Sequence, residues 1–259
     1  MQRPPNKSTP SILFAGGTSE WIRRVSEKHK QLASLKLSDQ QRNKLEKSTE
    51  IEFVHSTLAL EGIDLNREKI AQVISAEPGS QITSSDATTA LLFSFRKIAA
   101  VAREQGKSAE LTIDLLLEIH GAPDAGLRKT SGDPTGRLKS PKAEHLPALL
   151  ESACQWYSAD SFAELNPIEQ AALVLLRLIE IQPFEERNQR TALVAASLFT
   201  LRSDLPPLVI RAEMNTDYLS AFDEAARMNT KPMVELLARA VRETLEELIK
   251  QGLGVGSWG

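Results

Sequence analysis

The sequence has little of what marks secreted or membrane-spanning proteins. Its 259 residues include one cysteine, Cys154, so no disulfide can form within the chain, and we expect a reducing, cytoplasmic setting. The longest apolar runs, at 171–176 and 192–199, fall far short of the roughly 20 residues that span a bilayer. The apolar stretch at 12–15 is too short for a secretory signal. We therefore expect neither a membrane span nor a secretory leader.

The sequence also lacks a strong excess of either charge. It has 31 lysines and arginines against 34 aspartates and glutamates, which gives a formal net charge of −3. This near-neutral balance argues against a protein that coats nucleic acid or an anionic membrane, so we expect neither as a partner. The 41% of hydrophobic and 25% of charged residues are typical of globular proteins and exclude wholesale disorder.

Alternating patterns typical of β-strands are scarce. From Trp21 onward, apolar residues recur every three or four positions, which predicts an all-α protein. Helices are predicted to begin at Ser38, with capping-box spacing to Gln41, and at Asn66 and Asn166. Further helices are predicted at about 85–104, 111–120, 143–157, 191–201, 216–228 and 232–251.

A short polar segment lies between two predicted buried helices. The helix that begins at Asn166 and the helix at 191–201 are apolar nearly all round, whereas residues 182–189 between them are mostly polar. The first N–H groups of a helix have no partner within the helix and lie at the positive end of its dipole. We therefore predict an anion-binding site where this loop enters the second helix.

Residues 121–141, which we call the flap, form a second unusual segment. They hold four glycines and three prolines but few large apolar side chains, so they cannot form a core helix. Loops of about 20 residues are uncommon in compact domains and are often functional. We predict an exposed loop or hairpin that faces a substrate.

Residues 181–190 read Ile-Gln-Pro-Phe-Glu-Glu-Arg-Asn-Gln-Arg. This segment, whose residues 182–190 we call the motif loop, resembles the Fic family signature, His-Pro-Phe-x-[Asp/Glu]-Gly-Asn-Gly-Arg-x-x-Arg. The matching positions are Pro183, Phe184, Glu186, Asn188 and Arg190. The departures from the signature are Gln182, Arg187, Gln189 and Leu193.

Two flanking segments strengthen the resemblance, which covers most of residues 38–249. Thr57, Glu61 and Gly62 have the spacing of the [Ser/Thr]-x-x-x-Glu-[Gly/Asn] inhibitory helix that accompanies many family members. The run Gly126, Leu127 and Arg128 resembles part of the flap that precedes the signature in the family.

The resemblance implies an all-α Fic-fold helical bundle with a β-hairpin-like flap before the motif loop. On this basis the chain divides into four parts. They are a flexible N-terminal tail at 1–18, an N-terminal helical region with the inhibitory-type helix at 19–80, a Fic core at 81–250 and a flexible C-terminal tail at 251–259.

The resemblance also implies roles for the motif loop, because family members mostly transfer AMP from ATP to a protein hydroxyl. The family's histidine removes the proton from that hydroxyl, but its position here is Gln182, whose amide is not a usable base. Glu186 stands where the family's acidic residue holds Mg²⁺ on the phosphates. The implied phosphate-binding positions are Arg187, Asn188, Gln189 and Arg190, and Arg187 could supply additional positive charge.

Arg187 and Gln189 replace the two glycines with which the family's backbone cradles phosphates. We therefore predict a catalytically impaired pseudoenzyme that still binds a nucleotide or another phosphate ligand, with ATP and Mg²⁺ as the expected pair. The alternatives are an active transferase with altered chemistry and a non-enzymatic protein-interaction module. In each case an unknown target protein could dock at the flap, and the chain could form a homo-oligomer.

Three local questions stay open at this stage. In the family the inhibitory glutamate pairs with the last signature arginine, which is Leu193 here, so Glu61 either pairs with Arg190 or Arg187 or is an ordinary acid at a helix end. The charged loop residues could instead form only a solvated cluster. His120 could replace the lost base, but family members also carry a histidine there, which favours a structural role.

Overall fold

The structure is a computed structural model that describes residues 20–75, 87–121, 126–130 and 140–255. In these ranges the chain forms α-helices and no β-strand. The helices are α1 (Glu20–Ala33), α2 (Asp39–Leu60), α3 (Arg67–Ser75), α4 (Ala87–Gln105), α5 (Ile113–Ile119), α6 (Leu146–Tyr157), α7 (Asp160–Ala163), α8 (Pro167–Ile181), α9 (Asn188–Leu201), α10 (Asn215–Ala225) and α11 (Lys231–Gly252). The predicted all-α class is confirmed. Most of both predicted tails and much of the flap, with any hairpin there, lie outside the described residues.

Two helices begin at the capping signals in the sequence. At α2, Ser38 accepts a hydrogen bond from the N–H of Gln41, and the Gln41 side chain accepts one from the N–H of Ser38. At α8, the Asn166 side chain and Glu169 form a similar reciprocal box, with Pro167 in the first turn. Each box satisfies N–H groups that have no partner within the helix, which fixes where the helix begins.

Helices α8 and α9 form the centre of the bundle and pack along each other. Both are buried nearly all round, as their apolar sequences predict. Helices α2, α4 and α5 pack on α9, whereas α6 and α11 pack on α8. The α5 end of this core is formed by Leu111, Leu115, Leu116 and Ile119, which are all buried as predicted. The loop that joins α8 to α9 is therefore anchored at both ends by the two central helices of the core.

The start of α9 differs from the prediction. It begins at Asn188 rather than at Thr191, so Gln189 lies in the first helical turn and not in the loop. The chain enters this helix from Arg187, which has left-handed backbone angles and makes no side-chain capping hydrogen bond. A start of this kind has no capping residue to mark it in the sequence.

Helix α7 is not predicted, because a single turn is too short to show an apolar period. Cys154 on α6 is half-buried, and this burial raises the pKa of its thiol to about 11. Of the helices described, none combines the length and apolar character needed to cross a membrane.

Candidate functional site

Two left-handed residues shape the motif loop. Gln182 caps the C-terminal end of α8 with φ 45° and ψ 67°, and Arg187 precedes α9 with φ 61° and ψ 18°. Together they allow six residues, 182–187, to connect two helices that pack side by side. Left-handed angles place the Cβ atom close to the following carbonyl, at a cost of roughly 1–2 kcal/mol for most side chains. Arg187 thus has the conformation that a glycine adopts without strain, at a position where the signature has glycine.

Asn188 closes the loop onto its own backbone. Its Oδ1 accepts a hydrogen bond from the N–H of Phe184 at 3.0 Å, and its Nδ2 donates to the carbonyl of Phe184 at 2.8 Å. The Phe184 ring is buried in the core and lies 3.9 Å from the ring of His120, centre to centre. The Asn188 amide therefore serves the loop in this structure and has one Nδ2 hydrogen left for a ligand.

His120 packs against the motif loop and contacts its backbone. Its side chain is buried, and Nε2 lies 3.1 Å from the carbonyl oxygen of Glu186. Since a carbonyl only accepts, we assign the ring proton to Nε2, which leaves a bare lone pair on Nδ1. Burial lowers the pKa of His120, so the ring is neutral at pH 7. Nδ1 has no hydrogen-bond partner in the described part of the chain.

Arg128 fastens the flap to the end of α8. Its backbone N–H donates to the carbonyl of Pro183 at 2.8 Å, and Nε donates to the carbonyl of Gln182 at 2.6 Å. The remaining guanidinium nitrogens bind the carbonyls of Thr130 and Pro141, at the two sides of the flap. The residue is 4% exposed, and this burial lowers the pKa of its guanidinium, which nevertheless stays protonated. A cation at the carboxyl end of α8 is also favoured by the helix dipole.

Glu185 makes the second connection between flap and motif loop. One carboxylate oxygen accepts hydrogen bonds from the N–H groups of Lys129 at 2.9 Å and Thr130 at 3.3 Å. The other accepts from the Thr130 hydroxyl at 2.6 Å. These bonds, chiefly the one from the hydroxyl, lower the pKa of Glu185. No sequence pattern predicts this role, because Glu185 occupies the variable position of the signature.

Glu61 binds Arg190 through both carboxylate oxygens. Nε of Arg190 donates to Oε1 at 3.0 Å, and Nη2 donates to Oε2. Their side chains are 15% and 10% exposed, so water screens the pair only weakly. Thr57 is buried one turn before Glu61, and Gly62 turns the chain away from α2 with φ +76°. Of the alternatives left open by the sequence, the structure contains the pair with Arg190, whereas Leu193 is fully buried in the core.

The other predicted site residues lie around this pair. Gln182 is held through its side-chain oxygen, which accepts a hydrogen bond from the Ser140 hydroxyl. Glu186 is 68% exposed, and its carboxylate lies 3.1 Å from Nε of Arg187. Gln189 is half-buried on the first turn of α9. Gly126 and Leu127 lead into Arg128, and Leu127 is partly buried against the hydrophobic core.

The start of α9 has spare hydrogen-bond donors. Nη1 of Arg190 is buried and lacks a hydrogen-bond partner within the described ranges. Arg187, at the N-cap, gives the first turn no side-chain acceptor. These donors lie beside the carboxylates of Glu61 and Glu186, so the local charge is mixed. The arrangement can hold an anion at Arg190, provided that the anion competes with Glu61.

The buried α8–α9 pair, the motif loop between them and the acidic end of α2 against that loop form the arrangement that the resemblance to the Fic family implies. Residues 110–200 match the family model described as "Fic/DOC family". These residues are therefore similar to the Fic/DOC family domain, and the chain is similar in sequence to protein adenylyltransferases of that family.

Known proteins with the same fold include both curated relatives and solved structures. The chain is 25% identical over 209 residues to protein adenylyltransferase fic-1 of Caenorhabditis elegans, with 76% of this chain and 41% of that protein covered. It thus spans less than half the length of this relative. A Fic domain containing signalling protein from Bacteroides thetaiotaomicron has a TM-score of 0.78 at 21% identity, with 91% and 100% covered. IbpAFic2 in complex with adenylylated Cdc42 has a TM-score of 0.53 at 18% identity, with 90% and 72% covered.

Proposed function

We propose that this chain binds a nucleotide or another phosphate-bearing ligand at the motif loop without efficient AMP transfer. The observation that carries the proposal is Arg190. Its guanidinium is buried at the start of α9, and its Nη1 has no acceptor in the structure as described. An unpaired buried donor costs about 1–3 kcal/mol, and a phosphate oxygen would supply the missing acceptor.

The surroundings of Arg190 suit the phosphates of ATP. The first N–H groups of α9 and the positive end of its dipole would face an anion at this place. Glu186, whose carboxylate is exposed, would hold Mg²⁺ at this place, as the resemblance implies. When bound, the ion would offset the repulsion between the phosphates and the acids of the loop.

The same loop lacks the groups that efficient AMP transfer requires. Gln182 cannot take a proton from a target hydroxyl, and its amide oxygen is already an acceptor for Ser140. The lone pair of His120 is buried beneath Phe184, away from solvent. The side chains of Arg187 and Gln189 take the place of the glycines that would let phosphates approach the backbone. Binding is therefore retained more fully than catalysis.

Glu61 opposes ligand binding, because its carboxylate repels a phosphate and occupies Nε and Nη2 of Arg190, which leaves only Nη1 for the ligand. We therefore expect weak binding of ATP with Mg²⁺ by the unmodified chain and tighter binding, by about tenfold, in Glu61→Ala. Arg190→Ala should abolish binding. Arg177→Ala, which removes an arginine paired with Glu180 on α8, is the matched control and should leave affinity unchanged.

Isothermal titration with ATP and Mg²⁺ tests these expectations, with thermal melting of each variant to verify that it is folded. The proposal is wrong if Glu61→Ala shows no binding, or if Arg190→Ala binds as tightly as the unmodified chain.

The flap supports a second candidate, an active transferase with altered chemistry that acts on a protein target. Its observation is that Arg128 and Glu185 hold residues 126–130 directly against the motif loop. A neighbour of the same fold binds adenylylated Cdc42. This function requires ATP-dependent labelling of a protein that disappears in Arg190→Ala. A partner whose binding ignores Arg190 and Glu186 would instead favour a non-enzymatic interaction module, and either function could involve a homo-oligomer.

A further inference from the structure

Lys129 and Thr130 point three hydrogen-bond donors at one carboxylate. Both backbone N–H groups converge on the same oxygen of Glu185, and the Thr130 hydroxyl binds the other oxygen. Successive N–H groups of an extended strand point to opposite sides, so convergence on one atom is the geometry of an anion-binding nest and not of strand pairing. The flap therefore holds a receptor for a carboxylate.

Glu185, which fills this receptor, is exposed and belongs to the same chain. Lys129, Thr130 and Glu185 all lie on the surface, whereas the neighbouring Arg128 is buried and bound to backbone carbonyls. Without Glu185 the two N–H groups would be open to solvent. Because Glu185 belongs to the same chain, its effective concentration at the nest is high, and a free carboxylate must overcome that advantage.

We propose that Lys129 and Thr130 form a carboxylate-binding site, that Glu185 fills it in the isolated chain, and that an acidic side chain of a protein partner takes its place at the flap. The first two parts concern this chain alone. The third rests on the proposed function only in taking the flap as the surface that meets a partner. An acidic residue within a longer polypeptide fits, since further contacts can offset the tether of Glu185.

Hydrogen exchange of the Lys129 and Thr130 amides tests the site directly. Glu185→Ala should accelerate exchange of both amides by about five- to tenfold, because their acceptor is lost. Glu186→Ala is the matched control, since that neighbouring carboxylate contacts Arg187 and not the flap. Unchanged exchange in Glu185→Ala, or an equal change in both variants, would overturn the proposal.

Rescue by a small carboxylate tests the ligand class. Sodium acetate should restore slow exchange in Glu185→Ala and shift the NMR signals of both amides, whereas acetamide at equal concentration should do neither. Thr130→Val in the same background removes the hydroxyl donor and should weaken the rescue severalfold. Equal effects of acetate and acetamide would show that the site does not select a carboxylate.

Peptide selection tests the partner. Short random peptides displayed on phage and selected on Glu185→Ala should be enriched in Asp and Glu relative to those selected on Glu185→Ala with Thr130→Val. Absence of this enrichment, or recovery of no peptide, would overturn the third part. Nucleotide titration stays independent of all three measurements, so failure of ATP binding would reject the proposed function while leaving the exchange result intact.

Discussion

Arg187 combines a strained backbone with an exposed ion pair. Its φ of 61° belongs to the left-handed region, and its guanidinium pairs with the exposed carboxylate of Glu186. Exposed ion pairs typically contribute about 0–1 kcal/mol. The strain is therefore not offset by the contact that the side chain makes.

Replacement of the two signature positions by glycine should have opposite effects on stability. Arg187→Gly relieves left-handed strain, and after the added entropy of the unfolded chain it should raise the free energy of unfolding by up to about 1 kcal/mol. Gln189→Gly introduces glycine into the first turn of α9 and should lower it by about 0.5–1 kcal/mol. Urea unfolding of both variants measures the difference. Changes of the same sign would mean that the φ of Arg187 carries no strain.

The sequence identifies the residues of the site better than their partners. Arg190 and Glu61 are apparent from the signature and its flanking motif, but their pairing depends on how α2 ends beside α9, which no local pattern specifies. Asn188 illustrates the same point, since its amide is used to close the loop on Phe184. The geometry of a site comes from elements far apart in sequence.

Helix starts with a capping box are predictable because the signal lies within four residues. Ser38 and Asn166 are of this kind, whereas the start of α9 depends on the backbone angle of Arg187. The flap is only partly predictable from the local sequence. Its glycines and prolines exclude a helix, but its attachment depends on Arg128, whose carbonyl partners include Gln182, 54 positions away.

Arg128→Lys should release the flap while retaining the positive charge. A lysine ammonium cannot reach the carbonyls of Gln182, Thr130 and Pro141 together, so buried acceptors would be left without donors. We expect the free energy of unfolding to fall by about 1–3 kcal/mol and the amides of 126–130 to exchange faster. Lys129→Ala, an exposed neighbour, should change stability by less than about 0.5 kcal/mol. Equal stability of Arg128→Lys and the unmodified chain would contradict this role.

The bundle as a whole restricts how far the signature can be restored. Leu193 lies on α9 at 0% exposure, within the apolar core that surrounds the α8–α9 pair. The departures at Gln182 and Arg187 lie in a loop, where the backbone adopts left-handed angles at both positions. The departure at Leu193 lies in the buried core. Hydrophobic periodicity predicts this core well, because burial of α8 and α9 on all sides leaves an apolar pattern in the sequence itself.

Leu193→Arg should therefore destabilise the whole molecule. A buried guanidinium without a partner lowers the free energy of unfolding by about 3–5 kcal/mol, whereas Leu193→Met, which conserves volume and polarity, should cost less than about 1.5 kcal/mol. Chemical unfolding of the two variants measures the contrast. If Leu193→Arg instead costs less than about 1 kcal/mol, the new arginine must have reached Glu61. In that case Glu61→Ala in the same background should lower stability sharply, and Arg190 would be freed for a phosphate ligand without removal of Glu61.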